Sequence, residues 1–85
     1  MVDRRTKRLF DKATQSPNNY SLSDMTALLR GLGFQFERQK GSHMIFSHPG
    51  DRRLINIQEM SGGQVKPYQV KQALSRIEEL GLLEE

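Results

Sequence analysis

The stretch from Phe34 to Gln58 constrains the fold more than any other part of the chain. It holds three short runs in which side-chain character alternates: Phe34 to Gln39, His43 to Ser47 and Leu54 to Gln58. A period of two marks a β-strand with one face buried. The links between the runs are tight. Lys40, Gly41 and Ser42 form the first, and Pro49, Gly50, Asp51 and Arg52 the second. Links of this length and composition suit antiparallel hairpins.

Helical patterns flank the three runs. Asp3 can cap a short helix over residues 3 to 15, where Leu9, Phe10 and Ala13 form a thin apolar stripe among Arg4, Arg5, Lys7, Arg8 and Lys12. Ser16 to Asn19 reads as a loop, because Pro17 stops the helix and asparagines favour turns. Ser21 can cap a second helix, with Asp24 near its positive start and Leu22, Met25, Leu28, Leu29 and Leu32 on one face. Gly31 and Gly33 supply its stop signal. Pro67 fits the first turn of a last helix, with Val70, Leu74, Ile77 and Leu80 as its stripe and Gly81 at its end. The expected fold is α+β: a three-stranded antiparallel sheet with two helices packed on one face, in the order αβββα, plus an extra N-terminal helix. Residues 1–20 read as a helical extension and 21–85 as the main domain.

A chain of 85 residues with 35% apolar content affords one small core and little room for a nucleotide cofactor. The absence of cysteine removes disulfides, thiolate catalysis and zinc–cysteine sites, and suits a reducing cytoplasm. No apolar run approaches the roughly 20 residues of a membrane span, and no cofactor is expected. The net charge is +3, yet Ile77 to Glu85 carry four glutamates and no cation, which leaves +7 on the remainder. Such an excess points to a polyanionic partner, nucleic acid first, with a solvated surface and a solubilising acidic tail as the bland reading, and charge alone does not choose between them.

Strand parity sorts the two histidines. Met44 and Phe46 are the bulkier set of the middle run, so they belong under the helices with Ile55 and Ile57. His43, Ile45 and Ser47 then point to the open face, with Asn56 and Gln58. His48, five residues from His43, points the other way and reads as a turn residue packed on the rim. Opposite faces argue against a shared metal ion, with only Asp51 as a nearby carboxylate.

His43 has a bland reading, an exposed strand histidine with no task, and a chemical one. Arg38 and Lys40 can concentrate phosphate near its ring. An imidazole exchanges protons near neutral pH. RNA asks little more, because its own 2′-hydroxyl can attack the adjacent phosphate. Gly62 and Gly63 precede the last helix, with Lys66 and Lys71 beside them, and glycines let a backbone approach phosphate closely. No Walker loop or dinucleotide fingerprint is present. Tyr68 reads as packing on the sheet edge.

Taken together, SDMTALLRGLGFQFERQKGSHMIFSHP and GGQVKPYQVKQALSRIEELG resemble the HicA toxins of bacterial type II toxin–antitoxin systems. The anchors are Leu32 to Phe34, Arg38, Gly41 to His43, Phe46, His48-Pro49, Gly62-Gly63 and Lys66 to Val70. The resemblance implies a fold similar to double-stranded-RNA-binding domains and an mRNA endonuclease that needs no metal and halts translation. Its catalytic histidine is the one in the GSH motif, here His43. RNA would be held by Arg38, Lys40, Gly41, Ser42, Lys66 and Lys71, and an antitoxin similar to HicB would cover the site. Many relatives carry a second histidine after the first, where this chain has Met44. The alternatives are a non-catalytic RNA-binding module of the same fold, and a protein-binding surface built on Ile45 and the first helix.

Overall fold

The computed structural model describes residues 2–83, so the acidic tail lies outside the described residues at Glu84 and Glu85. Three helices and one sheet follow in the order α1 (Arg4–Gln15), α2 (Leu22–Gly31), β1 (Gln35–Lys40), β2 (His43–His48), β3 (Asp51–Gln58) and α3 (Pro67–Glu79). The sheet is antiparallel in the order β1-β2-β3. This is the expected α+β architecture. Both anticipated caps form. Asp3 Oδ1 accepts the Thr6 backbone N–H at 2.7 Å, and Ser21 Oγ accepts that of Asp24 at 3.0 Å, each satisfying an N–H with no partner inside the helix. Residues 16–19 are more ordered than a loop, since Pro17–Asn19 form one 3₁₀ turn.

The core lies between the sheet and the helices. Met25, Leu28 and Leu29 from α2 and Val70, Ala73, Leu74 and Ile77 from α3 meet Phe46, Ile55 and Ile57 from the sheet. Met44 packs against this cluster, on the side parity assigns to it. Polar contacts fasten α3 to β3. Buried Gln69 accepts the outward N–H of Gln58 through Oε1, at 2.5 Å, so the edge strand does not leave that group bare. Asp51 Oδ2 accepts Arg76 Nη1 at 3.1 Å, and Arg53 Nη2 donates to Glu79 Oε2 at 2.7 Å.

Helix α1 packs on α2 and α3. Ala13 is fully buried in the shared core. Tyr20, also fully buried, donates its hydroxyl to the Leu9 carbonyl at 2.8 Å, and burial pushes its phenol pKa up. Lys12 pairs with Asp24 at 2.7 Å. The two helices meet tightly at Gly31, where an added methyl would overlap the Thr6 hydroxyl.

Two features of the sheet differ from simple alternation. Phe36 pairs with Phe46 and Arg38 with Ile45, so Glu37 is one residue too many on β1. This is a β-bulge. Regular alternation would send Arg38 and Lys40 to the same side as Phe36. The bulge sends them to the other face. The second link is shorter than expected. His48 pairs with Asp51 around Pro49 and Gly50, and β3 begins at Asp51, with the slack taken up by an irregularity before Ile55.

Candidate active site

The open face of the sheet gathers its polar groups at one end. Gly41 and Ser42 make a two-residue turn between Lys40 and His43, which are paired across the ladder. Gly41 has φ 61°, a conformation that favours glycine and that a glycine-first hairpin turn requires. The pairing continues from His43 to Gln58 and from Ile45 to Asn56. A hollow of ≈ 450 Å³ results, lined by Arg38, Lys40, Gly41, His43, Ile45 and Asn56.

His43 is half-buried and lines this hollow. Its Nδ1 lies 3.1 Å from Asn56 Oδ1, reached diagonally across the β2–β3 pair. Neither Arg38 nor Lys40 meets a carboxylate among the described residues, whereas Arg53 and Arg76 are neutralised by Asp51 and Glu79. Glu37, the extra residue of the bulge, is engaged by the Ser47 hydroxyl. Two uncompensated cations and an imidazole thus share one side of the sheet. An anion placed there gains Coulomb attraction from both.

Four of the residues singled out in the sequence, Arg38, Lys40, Gly41 and His43, line this hollow together. Ser42 is exposed in the adjoining turn, and its carbonyl accepts the Glu59 N–H at 3.3 Å. Lys66 stands at the same end of the sheet, its backbone N–H donating to the Gln58 carbonyl at 3.3 Å. Lys71 lines a different groove on the outside of α3, with Arg53 and an exposed Tyr68. Tyr68 is 56% exposed, so it is not the edge-packing residue expected. Gly62 and Gly63 adopt φ 88° and 77° and build a turn, closed by the Gly63 N–H on the Met60 carbonyl. Asn56 was legible as a residue of this face, but not as a partner of the imidazole. The diagonal neighbour rule for antiparallel strands is the signal that points to it.

His48 lies on the other side of the strand, away from His43. Its ring contacts Phe34 edge-on, with centroids 4.8 Å apart. Nδ1 accepts the Gly50 N–H and Nε2 donates to the Leu32 carbonyl, each at 3.0 Å. It fastens the hairpin to the end of α2, as its rim reading anticipates. Among the described residues no three histidine, aspartate or glutamate side chains are grouped as metal ligands would be, and no helix is long and apolar enough to cross a membrane.

Against known proteins, the family model described as the HicA toxin of bacterial toxin–antitoxin matches residues 22–82. No curated protein and no solved structure matches the chain. The matched span runs from α2 through α3 and holds the whole hollow, while α1 precedes it.

Proposed function

The chain belongs to the HicA toxin family of bacterial toxin–antitoxin systems, and on that footing we propose that it is an endoribonuclease that cleaves mRNA without a metal ion. The observation that carries the reading is the half-buried imidazole of His43 beside Arg38 and Lys40, neither paired with a carboxylate among the described residues. In the proposed reaction the RNA 2′-hydroxyl attacks the adjacent phosphorus. The O2′–P bond forms and the P–O5′ bond breaks. His43 handles a proton of this exchange as base or acid, and the 5′-oxygen leaves as a hydroxyl. Arg38 and Lys40 stabilise the charge that gathers on the phosphorane oxygens. The Gly41–Ser42 turn and Lys66 extend the phosphate track at this end of the sheet. Lys71, with Tyr68 and Arg53, offers a second contact for a longer strand. A flat face of this kind suits recognition by backbone and shape more than by base edges. An antitoxin similar to HicB would silence the enzyme by covering the same face.

His43→Ala tests the reading. Cleavage of purified RNA should fall by about 10²-fold or more, while binding persists and weakens steeply with salt. Products should carry 2′,3′-cyclic phosphate and 5′-hydroxyl ends and should form in chelator. Undiminished cleavage by the alanine variant, or 5′-phosphate ends, would overturn the assignment. Binding without any cleavage by the wild type would leave the non-catalytic RNA-binding module.

A further inference from the structure

With the Asn56 amide oriented oxygen-first toward the ring, that oxygen accepts and the ring nitrogen 3.1 Å away is the donor. Neutral imidazole carries one hydrogen. With that hydrogen on Nδ1, the lone pair resides on Nε2, which has no hydrogen-bond partner among the described residues. We propose that Asn56 is a positioning residue that locks His43 in the Nδ1–H tautomer, presenting Nε2 to the hollow as the general base for the RNA 2′-hydroxyl. The consequence for cleavage rests on the nuclease reading. The tautomer lock does not.

An unrestrained imidazole on an open sheet would place its hydrogen on either nitrogen and turn about its side-chain torsions. Only one arrangement directs a lone pair toward a phosphate held by Arg38 and Lys40. Asn56 selects it from a rigid strand, at the position facing Ile45. Its neutrality matters as much as its geometry. An aspartate there would orient the ring equally well, but its charge would favour the imidazolium, which cannot accept a proton. It would also compete with phosphate for the cations of β1. A neutral acceptor orients the ring and leaves the base available.

His48 supplies the contrast within the same molecule. The Gly50 N–H donates to its Nδ1, so that nitrogen is bare and the hydrogen sits on Nε2, facing the Leu32 carbonyl. The two histidines should therefore be opposite tautomers.

Long-range proton–nitrogen NMR of the full chain, labelled at its imidazoles and held at mildly alkaline pH, tests the lock. The expected spectrum contains one Nδ1–H ring and one Nε2–H ring. The first should vanish in His43→Ala and lose its single-tautomer signature in Asn56→Ala. An Nε2–H tautomer for His43 overturns the proposal whether or not RNA is cut. In cleavage assays, Asn56→Ala should lower kcat on the order of ten- to a hundred-fold with KM little changed and the melting temperature retained. Asn56→Asp should move the acidic limb of the kcat/KM profile to higher pH, a change that loss of packing would not produce. Asn56→Ala cleaving like wild type would overturn the positioning role. An intact Nδ1–H tautomer in a wild type that cuts no RNA would instead remove the nuclease reading and leave the lock standing.

Discussion

Asp51 joins strand to helix through one carboxylate. Hydrogen bonds from the Arg53 backbone and side chain, then the charges of Arg53 and Arg76, draw its pKa from 3.8 to about 2. The unfolded chain takes up this proton more readily than the folded one. The stabilisation is therefore complete above the unfolded value and is lost as pH falls from about 4 towards 2. Asp51→Asn should lower the melting temperature at neutral pH and flatten this part of the acid transition, measured by thermal unfolding across the acid range. Other single residues divide by how local their cause is. The cap at Ser21 and the outward turn of His43 follow from neighbours a few positions away, so they are legible in the sequence. The Asp51 network and the His43–Asn56 bond join residues 25 and 13 apart. No local pattern announces such pairs before strand register and helix placement are known.

Among the elements, β1 shows most plainly where sequence reading stops. Parity placed β2 and β3 correctly because Phe46, Ile55 and Ile57 are buried in the core and Met44 packs against it. The bulge at Glu37 has no such signal, since every residue of β1 is exposed and polarity does not distinguish its two sides. The bulge makes an uncommon prediction. Deleting Glu37 should leave a regular ladder with Phe36 still opposite Phe46 and Arg38 still opposite Ile45, so the fold and RNA binding should survive. Deleting Gln39 while the turn keeps Lys40 opposite His43 would move Arg38 to the helix side. Binding should then weaken, and its log–log salt slope should drop by about 0.7, the value for one phosphate no longer neutralised on a single strand. Titrations of single-stranded RNA at several salt concentrations, with melting curves for both deletions, check this.

On the scale of the whole molecule, the layers are held by one shared apolar core. The chemical groups sit on the bare side of the sheet, and α1 adds to the helical side, outside the residues the family shares. Gly31 of α2 lies close against Thr6 of α1. Gly31→Ala should destabilise the fold by about 1–3 kcal/mol through overlap with Thr6, and adding Thr6→Ala should recover much of that loss, as read from urea unfolding. The sequence shows Gly31 only as a stop signal, because its second role depends on a helix from elsewhere in the chain. The molecule is also thin, 36 × 27 × 18 Å in extent, and the hollow around His43 lies on the sheet face away from the helical core. On the proposed nuclease reading, access to this face governs activity. If an antitoxin masks that side, control becomes a matter of supply: the number of copies left uncovered, rather than any change of shape, sets how quickly messages are lost.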